Sequence, residues 1–288
     1  MRSLLFVPAD SPRKLQKSLD AGADALIIDL EDSVAPAAKP AAREAARDFI
    51  AEVRRSANRP ALVLRVNSLD SGAIDADLDA VMSAAPDMIL LPKSRNGGDV
   101  QHLAAKLAVC EARHGLEDGA TRIIAIATET AAAMFGLGTY EGCSRRLRAL
   151  TWGAEDLSAA LGATAARDAA GAYTEPYRLA RSLTLIGARA ALAQPIDTVF
   201  VRFTDEAAFR RECEEAARDG FTGKLAIHPS QTAIINEIFS PSPAAIARAQ
   251  KIIAAFEANP GAGVLSIDGE MLDQPHLKGA QRLLAARP

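Results

Sequence analysis

The chain of 288 residues has few cysteines, little net charge and no long apolar run. Its three cysteines, Cys110, Cys143 and Cys213, are far apart and odd in number. This argues against a disulfide framework or a zinc ribbon and favours free thiols in a reducing cytoplasm. A net charge of −3 predicts no nucleic-acid partner and no anionic membrane surface. No apolar run reaches the roughly 18–20 residues of a membrane span, and the amino terminus lacks an export cleavage pattern, so we expect a cytoplasmic protein.

Several motifs of catalytic and nucleotide-binding proteins are also missing from the sequence. There is no Gly-x-Ser-x-Gly elbow and no cysteine–histidine nucleophile signature. The segment GLGTYEG at 136–142 has the wrong spacing for a dinucleotide fingerprint, and GFTGK at 220–224 is too short for a phosphate loop. These gaps disfavour a doubly wound open sheet that binds a dinucleotide.

What the sequence does contain is a regular alternation of apolar runs and helical stretches, with an apolar content of 49% that supports a full core. Eight short strand-like runs lie at 3–8, 24–30, 61–66, 87–92, 122–127, 149–153, 196–201 and 224–228. Amphipathic or alanine-rich stretches lie between them, for example at 11–21, 36–57, 74–84, 97–114, 174–193, 205–219 and 230–239. Eight strands, each followed by a helix, predict a (β/α)8 TIM barrel.

The alternation of predicted strands and helices ends after Phe239. The segment SPSP interrupts the barrel pattern, and NPGAG further on is typical of a flexible turn. Helices are predicted at 244–258 and near 276–286. We therefore expect two parts, a barrel of residues 1–240 and a C-terminal helical extension of residues 241–288.

Two acidic residues follow neighbouring predicted strands. Glu129 ends the run RIIAIATE and Asp156 ends ALTWGAED. Either acid alone is also explained as an N-terminal helix residue that the helix dipole favours. Because active sites of TIM barrels lie at the C-terminal ends of the strands, the two carboxylates together predict a divalent cation site. Mg²⁺ commonly takes one or two protein carboxylates, with water and substrate oxygens completing its shell.

Charged side chains also follow other predicted strands. Arg65 lies inside the apolar run LVLRVNS, where it either forms a salt bridge with an acid of DLED or binds a substrate carboxylate. Lys93 is either an ion-pair partner at the barrel mouth or a Schiff-base lysine for a keto acid. His228 in AIHPSQ has no second histidine nearby, which makes a zinc triad improbable.

Nearly the whole chain resembles the citrate lyase β-subunit-like branch of the HpcH/HpaI aldolase superfamily. The resembling segments are RSLLFVPAD, ALIIDLEDSV, LVLRVNS, ILLPKS, IATETAAAMFGL, LTWGAEDLSAALGA, GFTGKLAIHPSQ, FSPSP and DGEMLDQPHLKGAQ. Other members of this superfamily are malyl-CoA, citramalyl-CoA and β-methylmalyl-CoA lyases. The resemblance implies a TIM barrel, a Mg²⁺ cofactor, a CoA-type thioester or 2-keto acid as substrate, and a homotrimer or a hexamer built from two trimers.

The resemblance also implies roles for individual residues. Glu129 and Asp156 correspond to the two Mg²⁺ ligands, and Arg65 corresponds to a clamp on the substrate carboxylate. Asp273 corresponds to a catalytic acid or base that the C-terminal extension contributes to a neighbouring subunit. Contacts with the CoA end are expected from a basic set, Arg2, Arg13 and Lys14. Further substrate contacts are expected from Ala154, at the start of the GAEDLS helix, and from His228.

These roles predict cleavage or formation of a carbon–carbon bond in a 3-hydroxy-3-carboxyacyl thioester such as malyl-CoA or citramalyl-CoA. Three alternatives remain at this point. The chain is a citrate lyase β subunit acting on an acyl-carrier-protein thioester, a pyruvate aldolase that needs no CoA, or a barrel without activity. The basic residues expected at the CoA end and the full C-terminal extension disfavour the aldolase, and the intact acidic pair disfavours an inactive barrel.

Overall fold

The computed structural model describes residues 1–285 and divides the chain into two compact units, Met1–Asn236 and Glu237–Pro288. Residue 286 of the predicted last helix and the end of the predicted extension lie outside the described residues. Within the described part, no helix combines the length and the apolarity that a membrane crossing requires.

The first unit is a closed barrel of eight parallel strands, each paired with the next and the last with the first. The strands are β1 (Ser3–Pro8), β2 (Ala25–Asp29), β3 (Ala61–Arg65), β4 (Met88–Leu91), β5 (Arg122–Ile126), β6 (Leu147–Thr151), β7 (Gln194–Asp197) and β8 (Gly223–Ala226). This closed, parallel arrangement confirms the predicted TIM barrel.

Helices follow most of the strands. They are α1 (Pro12–Ser18), α2 (Lys39–Val53), α3 (Ile74–Val81), α4 (Gly97–His114), α5 (Ala154–Leu161), α6 (Glu175–Ala190), α7 (Glu206–Asp219) and α8 (Ser230–Ile238). After β5 the chain instead forms two short 3₁₀ turns, Ala132–Phe135 and Leu137–Tyr140. The segment GLGTYEG at 136–142 contains the second of these turns.

The barrel interior is filled by one side chain or two from each strand. Inward-facing residues include Leu4, Ile27, Leu90, Ile124 and Leu225, all buried. Because barrel strands are covered on both faces, they read as continuous apolar runs. This is why the runs in the sequence locate the strands so closely.

Two strands lie earlier in the chain than their apolar runs predict. Strand β7 ends at Asp197, although the apolar run continues through TVFV. Phe200 in that continuation is buried against Phe209, with ring centroids 5.6 Å apart. Strand β6 is also shifted, starting at Leu147. The apolar residues after β7 therefore stabilise a buried loop without extending the ladder.

The second unit contains two helices and a hairpin. Helix α9 (Pro243–Glu257) precedes β9 (Val264–Ile267) and β10 (Glu270–Asp273), which pair antiparallel, and α10 (Gln274–Ala285) follows. Asp268 and Gly269 join the two strands with positive φ angles of 53° and 82°, as a two-residue hairpin turn requires. This hairpin was not predicted from the sequence, although Asp-Gly between short apolar runs is a hairpin signal.

Candidate active site

A cavity of about 310 Å³ opens at the C-terminal ends of the barrel strands. Its polar lining comes from the ends of β2 and β3 and from the segments that follow β2, β5, β6 and β7. Its apolar lining includes residues of β1, β5 and β8 and of the loop after β7. The residues that line it include Phe6, Asp29, Arg65, Glu129, Trp152, Gly153, Ala154 and Asp156. The structure therefore brings the two predicted metal ligands and the predicted clamp into one cavity.

Glu129 is a deeply buried acid of this cavity, with 4% of its surface exposed. Its Oε2 accepts a hydrogen bond from the backbone N–H of Lys93, at 2.5 Å, but no described cation forms an ion pair with it. Burial raises the pKa of the Glu129 carboxyl to about 8, and the negative charges of Asp156 and Glu31 act in the same direction. A buried carboxyl that lacks a counter-ion is costly, so this position favours a bound cation.

Asp156 is half-buried in the first turn of α5, which follows β6, and Glu129 follows the neighbouring strand β5. Gly153 forms the turn between β6 and α5, and this turn passes very close to Glu129. A Cβ atom at position 153 would lie 2.7 Å from Cγ of Glu129. Only glycine allows this approach without displacement of the acid, and the same turn places Asp156 at the cavity.

Arg65 forms a salt bridge with acids of DLED, which is one of the two alternatives that the sequence predicts for it. Its Nε and Nη2 donate to the two carboxylate oxygens of Asp29, each at 2.6 Å. Its Nη1 lies 2.8 Å from Oε2 of Glu31, and its guanidinium lies 4.9 Å from the ring centroid of Phe6. Burial opposes ionisation of Asp29, but the hydrogen bonds and charge of Arg65 outweigh it and hold the Asp29 pKa below its usual value. Arg65 is thus a fixed cation in the cavity wall.

Lys93 is an ion-pair residue in this structure. Its Nζ lies 2.5 Å from Oε1 of Glu31 and 3.6 Å from Oδ1 of Asp156. Burial opposes the charged form, but the Glu31 hydrogen bond and the nearby acids raise the Lys93 pKa above its usual value. Because only a neutral amine attacks a carbonyl, this environment disfavours the Schiff-base role.

The acids of the cavity fit a magnesium ion better than a transition metal. Among residues 1–285, no three histidine, cysteine, aspartate or glutamate side chains converge on one metal position. Magnesium needs only one or two protein carboxylates, because water and substrate oxygens supply the rest. Glu129 and Asp156 meet this requirement, and a divalent cation would supply the charge that Glu129 lacks.

Comparison with known proteins agrees with this geometry. The HpcH/HpaI aldolase/citrate lyase family matches residues 2–229. The chain belongs to this family of carbon–carbon lyases. Mitochondrial citramalyl-CoA lyase of Rattus norvegicus is 32% identical over 98% of this chain and 85% of its own length. A (3S)-malyl-CoA thioesterase of Cereibacter sphaeroides (strain ATCC 17029 / ATH 2.4.9) is 34% identical over 99% of this chain and 93% of its own.

A solved structure of the same fold is similar over almost the whole chain. It is CitE of Mycobacterium tuberculosis in complex with magnesium, acetoacetate and coenzyme A. The two chains share 31% identity and a TM-score of 0.78, with 99% of this chain and 97% of that chain covered. The sequence-based resemblance to the citrate lyase branch is confirmed, and the expected Mg²⁺ cofactor agrees with the magnesium in this relative.

Other residues predicted to bind substrate in this HpcH/HpaI family member lie at different distances from the cavity. Ala154 lines it at the start of α5. Arg13 and Lys14 are exposed on α1, after β1, and pair with no other described residue. His228 follows β8 but is exposed, stacked on Phe203 with ring centroids 4.7 Å apart. Ala154 is therefore brought to the cavity, whereas His228 is not among its lining residues.

Arg2 is not among the residues that line this cavity, and Asp273 belongs to the second unit. Arg2 precedes β1 at the N-terminal end of the barrel strands, where its Nη2 pairs with Oδ1 of Asp24 at 2.8 Å. Because the cavity opens at the opposite end, the structure does not bring Arg2 to it. Asp273 ends β10 in the second unit, and its Oδ1 lies 2.6 Å from Nδ1 of His276.

Trp152 is a cavity residue that the sequence analysis missed. This single tryptophan of the chain donates from Nε1 to Oδ1 of Asp197 at 2.7 Å. Asp197 also pairs with Lys224 at 2.8 Å and with Arg181 at 3.2 Å. Burial opposes ionisation of Asp197, but the charge of Lys224 outweighs it and holds the Asp197 pKa below its usual value. A buried network of ion pairs thus orients the indole. In the sequence, this network is indicated by Lys224, a charged residue at the start of the apolar run KLAIH.

Proposed function

We propose that this family member is a Mg²⁺-dependent lyase that cleaves, or forms, a 3-hydroxy-3-carboxyacyl-CoA thioester. The candidate substrates are malyl-CoA and citramalyl-CoA, and the products are acetyl-CoA and a 2-keto acid. The observation that carries the proposal is Glu129, a buried carboxyl that forms no ion pair with any residue of 1–285 and lines the barrel cavity together with Asp156. The citramalyl-CoA lyase relative supports the same chemistry.

Arg65 and the start of α5 provide the groups that hold the substrate carboxylate. Arg65 uses Nε, Nη1 and Nη2 for Asp29 and Glu31, and a guanidinium has five N–H donors in all. The remaining donors, and the free backbone N–H groups at the N-terminus of α5 near Ala154, suit a carboxylate. Two acids already fix the guanidinium, so it needs little reorganisation when the substrate binds.

Magnesium, when bound by Glu129 and Asp156, would lower the pKa of the substrate hydroxyl and polarise the forming carbonyl. As the hydroxyl proton passes to solvent water, the carbon–carbon bond breaks and its electron pair passes to the acetyl thioester as an enolate. We propose that Asp273 of a neighbouring subunit protonates this enolate, or removes the proton in the reverse direction. This role assumes a homotrimer or a hexamer, which light scattering of the purified protein measures directly.

A screen of four thioesters tests the proposed function. Malyl-CoA, methylmalyl-CoA (the β-methylmalyl thioester), citramalyl-CoA and citryl-CoA are incubated with the protein and MgCl₂, and both the keto acid and the CoA product are quantified. We expect equal amounts of a 2-keto acid and of the acyl-CoA product, which is acetyl-CoA for every substrate except β-methylmalyl-CoA. Absence of keto acid with every thioester contradicts the proposal. Release of free CoA thiol would instead identify thioester hydrolysis, the activity for which the Cereibacter sphaeroides relative is named.

A further inference from the structure

Lys93 has a backbone conformation that is unusual for a lysine. It lies two residues after the end of β4 and has a φ angle of +53°, in the left-handed region that residues other than glycine seldom adopt. This conformation directs the Lys93 N–H onto Oε2 of Glu129 at 2.5 Å. Strained residues persist where the surrounding structure fixes them, often at functional sites. The strain here serves to hold one of the two predicted metal ligands.

The ammonium group of the same residue lies among the other acids of the cavity. It is 2.5 Å from Glu31, 3.4 Å from Asp32 and 3.6 Å from Asp156. The neighbouring cation, Arg65, is already engaged with Asp29 and Glu31. Among the described residues, Lys93 is thus the cation that forms an ion pair with Asp156.

We propose that Lys93 is a positioning residue of the metal site that shares Asp156 with the metal and thereby limits metal affinity. The inference rests on the proposed magnesium site at Glu129 and Asp156. A cation beside a ligand carboxylate weakens the attraction of that carboxylate for a second cation. In return, the ammonium offsets the mutual repulsion of the acids when no metal is bound. The site would then stay folded without magnesium and exchange it readily.

The test is a calorimetric titration of MgCl₂ into wild-type protein and into Lys93→Met. Methionine keeps the backbone N–H to Glu129 and much of the side-chain length, and it removes the charge together with the Nζ hydrogen bond to Glu31. We expect the Mg²⁺ dissociation constant to fall by about tenfold, because a neighbouring cation is removed from the site. We also expect the melting temperature of Lys93→Met to fall in EDTA and to rise more in MgCl₂ than that of the wild type.

Lys39→Met is the matched control. Lys39 lies near the same end of the barrel, but its Nζ bonds to the backbone oxygens of Leu30 and Glu31 and to the Asn67 side chain. Its charge engages no carboxylate, so we expect its Mg²⁺ dissociation constant to stay within about twofold of the wild-type value. If Lys93→Met does not fold, Lys93→Gly accepts the left-handed backbone, keeps the N–H, and should tighten Mg²⁺ binding in the same way.

Two outcomes contradict the inference, and they separate it from the proposed function. If wild-type protein binds Mg²⁺ and both folded Lys93 variants bind it equally or more weakly, the role of Lys93 is wrong while the metal site stands. If wild-type protein binds no Mg²⁺ at all, the proposed function and the role of Lys93 both fail.

Discussion

At the scale of single residues, the chemistry of this cavity depends on which acids have partners. Asp29 is bound on both oxygens by Arg65, whereas Glu129 receives one backbone N–H and no described ion pair. The first arrangement stabilises a carboxylate, and the second penalises it until a cation arrives. The sequence alone cannot make this distinction, because three acids within DLED compete for the same two cations. Only the three-dimensional distances show how Arg65 and Lys93 are divided among them.

The raised pKa of Glu129 predicts a pH-dependent metal affinity. Since burial raises this pKa to about 8, the carboxyl is mostly protonated at neutral pH before metal binds, and binding must release that proton. Mg²⁺ affinity should therefore rise by about tenfold per pH unit up to pH 8 and level off above it. Calorimetry at pH 6, 7, 8 and 9, in buffers of different ionisation enthalpy, measures affinity and proton release together. A Mg²⁺ affinity that is constant over this range would contradict the assignment of Glu129 as a metal ligand with a raised pKa.

At the scale of secondary-structure elements, the strands were predictable and the connections were not. All eight apolar runs overlap the observed strands, because a barrel strand is buried on both faces and leaves a continuous apolar signature. The 3₁₀ turns after β5 and the β9–β10 hairpin escaped prediction. In both segments the structure depends on a few turn residues, such as Asp268 and Gly269, and not on a long periodic pattern.

The turn between β6 and α5 makes a specific prediction. Gly153→Ala places a Cβ 2.7 Å from Cγ of Glu129 and 3.2 Å from its Oε1, so the acid must move. We expect Mg²⁺ affinity to fall by about tenfold or more, with a loss of about 1–3 kcal/mol in the free energy of unfolding. Magnesium titration and chemical denaturation measure the two effects.

Gly138→Ala is the control for this substitution. Gly138 lies in the second 3₁₀ turn with no atom within 4 Å of an added Cβ, so we expect unchanged Mg²⁺ affinity. Wild-type affinity in a folded Gly153→Ala variant would show that the close approach of the turn does not position Glu129.

At the scale of the whole molecule, the proposed role of Asp273 requires two subunits. The sequence placed Asp273 in the active site only through family resemblance, because no pattern in one chain reveals a contact between chains. In the structure, Asp273 belongs to a unit with its own small core of Ala249, Ile252, Phe256, Leu272 and Ala280. The distance between Asp273 and the barrel of a neighbouring subunit therefore depends on how the subunits assemble.

Subunit mixing tests this division of labour. Glu129→Gln and Asp273→Asn should each abolish turnover when expressed alone. Coexpressed in equal amounts, they should recover about a quarter of wild-type activity, because a quarter of the sites of a cyclic assembly combine an intact barrel with an intact neighbouring extension. Asp268→Asn, which also lies in the second unit, should retain full activity. If the coexpressed pair stays inactive, Asp273 does not act across a subunit boundary.

The central claim is that Glu129 and Asp156 hold a magnesium ion needed to break a carbon–carbon bond. Its most direct test is keto-acid release from citramalyl-CoA and malyl-CoA by chelator-treated protein before and after addition of MgCl₂. We predict no release with excess chelator, full recovery with MgCl₂, and no recovery for a folded Glu129→Gln variant. Full release in excess chelator, or undiminished release by Glu129→Gln, would contradict the claim.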